Sequence, residues 1–304
     1  MLVSEIQQKS LFTAIKTPFN AKGQIDIEKY DYLIQQQIKF GVDGVIVGGT
    51  TGEGHLLDWE EHLMLISHTV NNYGNQLVVV GNTGSNNTRE AVKATQYGFA
   101  SGMHASLLIN PYYGKTTNEG VYQHIIAALE LGPAFIYNVP GRTGQDIPSE
   151  VIVKLAKHPN FIGVKECAGN ERIAQYEKQS IACWSGNDDE CFKGRHEFGS
   201  HGVISVTSNV VPGMMRDLMD NPNSEYDDQL KDLYQWLFDE PNPAPLNTAL
   251  ALTGAVNPVV RLPYLPLSQA KRQAFLAIIE KLDATLVVGG QRLNLTDEEF
   301  VSLN

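Results

Sequence analysis

Three cysteines in 304 residues, Cys167, Cys183 and Cys191, leave no disulfide framework or zinc ribbon to expect, because the number is odd and no C-x-x-C spacing occurs. Such a chain suits a reducing compartment. Positive charge is also scarce: 23 Lys and Arg against 34 Asp and Glu give a net charge of −11, with no basic run. That argues against nucleic acid or an anionic membrane as a main partner. Small anions stay open, since a pocket binds them through local charge. No apolar run approaches the ~18 residues needed to span a bilayer. The first residues, MLVSEIQQKSLFTAIKTPF, carry neither a charged-then-apolar signal region nor an Arg- and Ser-rich transit pattern. A cytoplasmic setting is therefore expected, or the plastid stroma for a mature organelle enzyme trimmed of its address. H-E-x-x-H is missing and the eight histidines are dispersed, so no metal site is expected.

What is present is an alternation. The apolar share of 42% and charged share of 19% are those of a globular chain, long enough to bury roughly three-quarters of its unfolded surface. Short β-branched runs recur: LFTAIKTPF (11–19), GVIVGG (44–49), QLVVVGN (76–82), ASLLIN (105–110), AFIYNV (134–139), FIGVKE (161–166), ACWSGN (182–187) and GVISVTS (202–208). Near-continuous apolar runs of this length fit strands covered on both faces. Helical patterns lie between them. In 58–73, Trp59, Leu63, Ile66 and Val70 fall on one face, with Asp58 and Glu61 as an acidic capping pair. In 118–131, Val121, Ile125, Ala128 and Leu131 repeat that spacing up to Gly132, and a third helix runs from Ser149 to His158 against Pro159. Eight such units, with no G-x-G-x-x-G after the first strand, predict a closed (β/α)8 TIM barrel rather than an open nucleotide-binding sheet. The barrel is expected over residues 1–223. Residues 224–304, helical and without strand runs, form a C-terminal helical extension.

In such a barrel the chemistry sits at the carboxyl ends of the strands. The sixth run ends in Lys165-Glu166, with Lys165 inside a buried-type segment. Lysine is rarely buried without a partner or a purpose, and burial lowers its pKa and frees the amine to attack a carbonyl. Lys165 could instead snorkel outward or pair with Glu166. Lys16, at the end of the first run, is a rival that the pattern alone does not separate from it. The fifth run ends in Tyr137, with Arg142 in the loop beyond. One unit apart, Tyr137 and Lys165 should lie on neighbouring strands about 4.8 Å apart, where a phenol can shuttle protons at a carbinolamine. Tyr137 could equally be a core tyrosine. Arg142 could hold a carboxylate in its planar fork or make a surface ion pair. The second run ends in Gly48-Gly49-Thr50-Thr51-Gly52-Glu53-Gly54, which lacks the G-K-[ST] ending of a phosphate loop. Its hydroxyls and backbone N–H groups suit a carboxylate cradle instead. The fourth run ends in Asn110-Pro111-Tyr112-Tyr113-Gly114, paired aromatics in a polar loop with little core to offer.

Taken together, GGTTGEG, NPYYG, YNVPGRTG and GVKE, in this order and spacing, resemble the dihydrodipicolinate synthase (4-hydroxy-tetrahydrodipicolinate synthase) family, within the pyruvate-dependent class I aldolases. The resemblance covers nearly the whole chain, from TAIKTPF (13–19) through NPAPLNTAL (242–250) to RLPY (261–264). Trp59, YNVPGRTGQDIP (137–148) and RLPYLPL (261–267) look like its plant-type branch. The resemblance implies a Schiff-base lyase that condenses pyruvate with L-aspartate-4-semialdehyde at the entry to lysine (diaminopimelate) biosynthesis, without metal or organic cofactor. It implies Lys165, not Lys16, as the Schiff-base amine. It implies a proton relay of Tyr137, Thr50 and Tyr113, with Tyr113 donated across a dimer interface. Thr51 would hold the pyruvyl carboxylate, Arg142 the carboxylate of the semialdehyde, and the Ile204 carbonyl would face the lysine. It further implies feedback inhibition by L-lysine at His55, Trp59, Asn86, Glu90 and Tyr112, and a homotetramer built as a dimer of dimers. Trp59 could otherwise simply continue the apolar stripe of its helix.

Two other readings compete. A sister lyase, such as an N-acetylneuraminate lyase or keto-sugar-acid aldolase, would share the lysine and the tyrosine. Arg142 in GRTG and the paired tyrosines suit a short amino-acid aldehyde better than a sugar. A non-catalytic pyruvate- or lysine-binding regulator would be expected to have lost Lys165, Tyr137 or Thr50, and all three are present.

Overall fold

The computed structural model describes residues 1–303. Among them, eight parallel strands close into a barrel in chain order: β1 (Leu11–Ala14), β2 (Gly44–Val47), β3 (Val78–Asn82), β4 (Ala105–Ile109), β5 (Ala134–Asn138), β6 (Phe161–Glu166), β7 (Cys183–Ser185) and β8 (Gly202–Ser205). All eight coincide with the apolar runs in the sequence. Strand burial is almost unbroken, as a sheet with both faces covered requires.

The chain forms two compact units. The first comprises residues 1–12, 43–47 and 62–204 and holds nearly all of the barrel strands. Its helices are α1 (Val3–Ile6), α2 (Trp59–Tyr73), α3 (Thr88–Ala100), α4 (Asn118–Leu129), α5 (Pro140–Thr143), α6 (Ser149–Leu155), α7 (Asn170–Glu177) and α8 (Cys191–Glu197). Asp58 caps α2 by accepting from the Glu61 amide at 2.8 Å, as the acidic capping pair predicts. The buried face of α2 differs from the expected one: His62, Leu65, Ile66, Thr69 and Tyr73 face inward, while Leu63 and Val70 are half-buried and Trp59 is 38% exposed. The helix is turned about one position from that expectation, with Ile66 common to both faces and packed close over Gly81 on β3. The helix expected to run to His158 ends at Leu155.

Side chains alternate across a strand, and the first unit fills both faces differently. Ile136 and Val164 point outward into an apolar layer with Val121, Ile125, Leu129, Ile152 and Ile173 from the surrounding helices. The interior is aromatic. Phe135 on β5 packs edge-on against Trp184 on β7 at 4.9 Å and against Phe12 on β1 at 5.4 Å. Three rings from distant strands meet only inside the barrel. Gly163 on β6 makes room for them, since a Cβ there would lie 2.7 Å from the Trp184 ring and 2.4 Å from the Ala182 carbonyl oxygen.

The second unit comprises residues 13–42, 48–61 and 205 onward. Beyond the barrel it carries a helix over Pro212–Asp220, then Tyr226–Phe238, Ala244–Leu252 and Gln269–Ile279. The Ala244–Leu252 helix is buried all round, which its APLNTALAL sequence anticipates. Trp236 stacks at 4.7 Å on Phe275 and donates its indole N–H to the Lys271 carbonyl at 2.8 Å. The C-terminal region was expected to lack strands, yet Val259–Arg261 and Val301–Leu303 pair in parallel. Three-residue strands leave too short a pattern to be seen in sequence.

Candidate active site

Lys165 is the second-to-last residue of β6, and the register pairs it with Tyr137 on β5 and Trp184 on β7. Residues in register share a face. Lys165 therefore points inward, above the aromatic plug and beside the phenol: its Nζ lies 4.4 Å from the centre of the Tyr137 ring. Both are buried, at 7% and 6% exposure. Burial lowers the Lys165 pKa, with Cys167 and Asp188 opposing that shift and Arg142 adding to it. The arrangement puts an amine whose burial favours its neutral form beside a hydroxyl-bearing ring.

The same register sends Glu166 and Asn138, paired with each other, to the opposite face. A Lys165–Glu166 ion pair is thereby excluded. Asn138 donates through Nδ2 to Glu166 Oε1 at 2.9 Å and to Asp146 Oδ1 at 2.8 Å, and its Oδ1 accepts from the Ile147 amide. Glu166 also accepts from the Ala168 amide at 2.8 Å, and Asp146 pairs with Arg172 at 2.9 Å. Burial pushes the Glu166 carboxyl up to about 7, against the hydrogen bonds from Ala168 and Asn138. Each strand end thus presents one residue to the site and the next to a network that fixes the strand end.

Cys167 follows directly. Its thiol is pushed up to about 11 by burial, with the Lys165 charge opposing, and it hydrogen-bonds Tyr137. A Cβ on Gly186 would fall 2.2 Å from Cys167 Sγ and 3.2 Å from Lys165 Cε. Only glycine fits there.

Lys16 turns out to be a different kind of lysine. It is 1% exposed and ion-paired with Glu53, which is 0% exposed. Burial lowers its pKa, and the Glu53 carboxylate pulls it back up. An ammonium held by a carboxylate is a poor nucleophile, so Lys165, which is not ion-paired among the described residues, is the better candidate amine.

The loop after β2 is folded back on itself. The Glu53 amide donates to the Thr50 carbonyl at 3.0 Å and the Gly54 amide to the Gly49 carbonyl at 3.1 Å. Thr51 is buried, and its Oγ1 accepts from Asn242 Nδ2 at 3.0 Å. With that lone pair occupied, the Thr51 hydroxyl proton is turned away from Asn242. Asn247 Nδ2 reaches Glu53 Oε1 at 2.7 Å. Asn242 and Asn247 lie in the NPAPLN segment, which sequence reading singled out without giving either a role. Thr50 is half-buried in the same loop.

The remaining expected residues sit as follows. Arg142 is exposed on α5, the single turn directly after β5. Ile204 is buried in β8. Tyr113 is 95% exposed with φ 68, a conformation that large side chains rarely adopt. Neighbouring Tyr112 is 37% exposed, and its carbonyl accepts from Asn86 Nδ2 at 3.2 Å. Glu90, exposed on α3, accepts from Ser85 at 3.2 Å. In the other unit, His55 is exposed and hydrogen-bonds the Tyr264 hydroxyl at 2.8 Å. Trp59 is exposed rather than part of an apolar stripe. No helix among the described residues is long and apolar enough to cross a membrane.

Residues 7–282 match the model of the dihydrodipicolinate synthetase family. The chain is 55% identical to the chloroplastic 4-hydroxy-tetrahydrodipicolinate synthase of Nicotiana tabacum, over 97% of this chain and 82% of that protein. Its fold is similar to the chloride-inhibited dihydrodipicolinate synthase of Acinetobacter baumannii complexed with pyruvate (TM-score 0.85, 32% identity, 90% of this chain and 98% of that one). It is also similar to the enzyme of Cyanidioschyzon merolae with lysine bound (TM-score 0.84, 30% identity, 90% and 98% coverage). With the barrel, the inward lysine and its tyrosine already in place, this chain belongs to the dihydrodipicolinate synthetase family.

Proposed function

We propose that the protein is a Schiff-base lyase that condenses pyruvate with L-aspartate-4-semialdehyde to 4-hydroxy-tetrahydrodipicolinate, in lysine biosynthesis. The observation that carries this is the buried Lys165 amine beside the Tyr137 ring. The neutral amine adds to the keto carbon of pyruvate and water leaves, giving an imine. Loss of a methyl proton gives an enamine, whose carbon attacks the aldehyde. The amino group of the semialdehyde then displaces Lys165, which closes the ring and returns the free amine. Tyr137, with Thr50 and Tyr113, would carry protons to and from these intermediates, help worth about 10²–10⁴ in rate. Thr51 would hold the pyruvyl carboxylate through its hydroxyl proton, which is not spent on Asn242. Arg142 would receive the carboxylate of the second substrate, and the Ile204 carbonyl would face the amine.

Assembly and regulation extend the reading. Tyr113, fully exposed in a left-handed conformation, fits a residue that finds its partner on a second copy, and a dimer of dimers accommodates that. L-lysine would bind at Trp59, His55, Asn86, Glu90 and Tyr112: the Glu90 carboxylate suits an ammonium, and the exposed Trp59 face a cation–π contact. The plant relatives are named as chloroplastic, which fits a stromal setting. Turnover compared between aspartate semialdehyde and sugar-derived aldehydes, with pyruvate present, tests the assignment. A preference for the sugar aldehyde would overturn the second substrate and point to a sister lyase.

A further inference from the structure

Within the second unit, the threonine loop rests on a buried charged pair that the chemistry above does not use. Glu53 stands two residues after Thr51, is wholly buried, and takes φ 56, a left-handed conformation rare for a side chain of its size. Its carboxylate meets Lys16, from the segment after β1, and Asn247, from the Ala244–Leu252 helix. Lys16 is fixed in turn: its amide donates to Asn209 Oδ1 at 3.0 Å, and Asn209 Nδ2 donates to the Ala14 carbonyl at 2.9 Å. Gly52 lies so close to the Ile15 carbonyl that a Cβ would come within 2.7 Å. The loop is thus gripped from the segment after β1 and from the Ala244–Leu252 helix at once.

A buried ion pair is a poor device for stability alone, since apolar residues of similar volume often do as well. It does fix one geometry. We infer that Lys16 and Glu53 are positioning residues: their ion pair sets the Thr50–Thr51 segment so that its groups meet the keto-acid carboxylate. This rests on the reading of Thr51 as the residue that holds that carboxylate.

The test uses the full-length protein with three variants: Thr51→Val, Glu53→Gln, and the double variant Lys16→Met/Glu53→Gln. Glu53→Gln leaves the Lys16 charge without its counter-ion. The double variant buries no unpaired charge and nearly conserves volume, so it keeps the test alive if the single variant misfolds. Steady-state KM for pyruvate, KM for the aldehyde, and kcat are measured on each folded variant. Weakening one hydrogen bond to a charged ligand raises KM for pyruvate about tenfold. The expected result is that rise in Thr51→Val and in the double variant, with kcat at saturating pyruvate and the aldehyde KM little changed. A double variant that folds with wild-type KM for pyruvate, while Thr51→Val shows the rise, overturns the positioning role alone. A Thr51→Val protein with wild-type KM overturns the carboxylate-holding reading, and the positioning role with it. A fall confined to kcat or to stability also overturns it, since a merely structural role predicts that pattern.

Discussion

Replacing Glu166 with Gln should make the protein more stable at alkaline pH and leave it nearly unchanged at acid pH. The carboxyl sits on the outward face of β6, 1% exposed, and burial holds it near 7 instead of 4.5. Asp146 adds to that rise, and Arg172 and the donors Asn138 and Ala168 oppose it without cancelling it. A carboxyl with a raised folded-state pKa costs stability in its charged form. Below pH 4.5 both folded and unfolded chains are protonated and the cost is absent. Between 4.5 and 7 the unfolded chain has released its proton and the folded one has not, so stability falls as pH rises. Above 7 the full cost is present, about 3 kcal/mol at about 1.4 kcal/mol per pH unit. Gln mimics the neutral acid in shape and never charges. Urea unfolding followed by the fluorescence of buried Trp184, at fixed protein concentration, should give curves for wild type and Glu166→Gln that nearly coincide below about pH 4. By pH 8 they should diverge by up to about 3 kcal/mol in favour of the variant. Parallel pH dependences would refute the reasoning, and a variant less stable at every pH would show that the carboxylate is a needed acceptor rather than a buried liability.

Other consequences concern the reacting groups. Tyr137→Phe should lower kcat by about 10²–10⁴ while the imine with pyruvate still forms and can be trapped; unchanged kcat would remove the phenol from the proton path. Gly186→Ala should push Cys167 Sγ against Lys165 and cost about 10² in kcat, the scale of a displacement near 1 Å. Adding Cys167→Ala should return most of that activity, and failure to do so would mean the clash lies elsewhere. Glu90→Ala should abolish inhibition by added L-lysine; a variant inhibited like the wild type would exclude Glu90 from the regulatory site.

The eight strands could be read in sequence because a strand covered on both faces must be apolar throughout, and each such run here is followed by turn-forming residues. Helix positions were legible but the inward face of α2 was not, since Trp59 and Leu63 are apolar at places that packing leaves partly open. The short pair of strands near the C-terminus falls below any periodicity. The residue pattern left Lys16 and Lys165 unseparated and only the family resemblance favoured Lys165; the ion partner of Lys16 is Glu53, 37 residues away, and nothing local announces it. The Asn138–Glu166 network and the Asn242 bond to Thr51 were hidden for the same reason. Polar side chains name their partners only after the backbone has brought them together.

The central claim is that Lys165 carries the keto acid. Treating the protein with pyruvate and borohydride, then mapping the modified peptide by mass, tests it directly. The account predicts one reduced pyruvyl adduct, on Lys165, that is absent without pyruvate and absent in Lys165→Ala. An unmodified Lys165 peptide, or an adduct on Lys16, would contradict it.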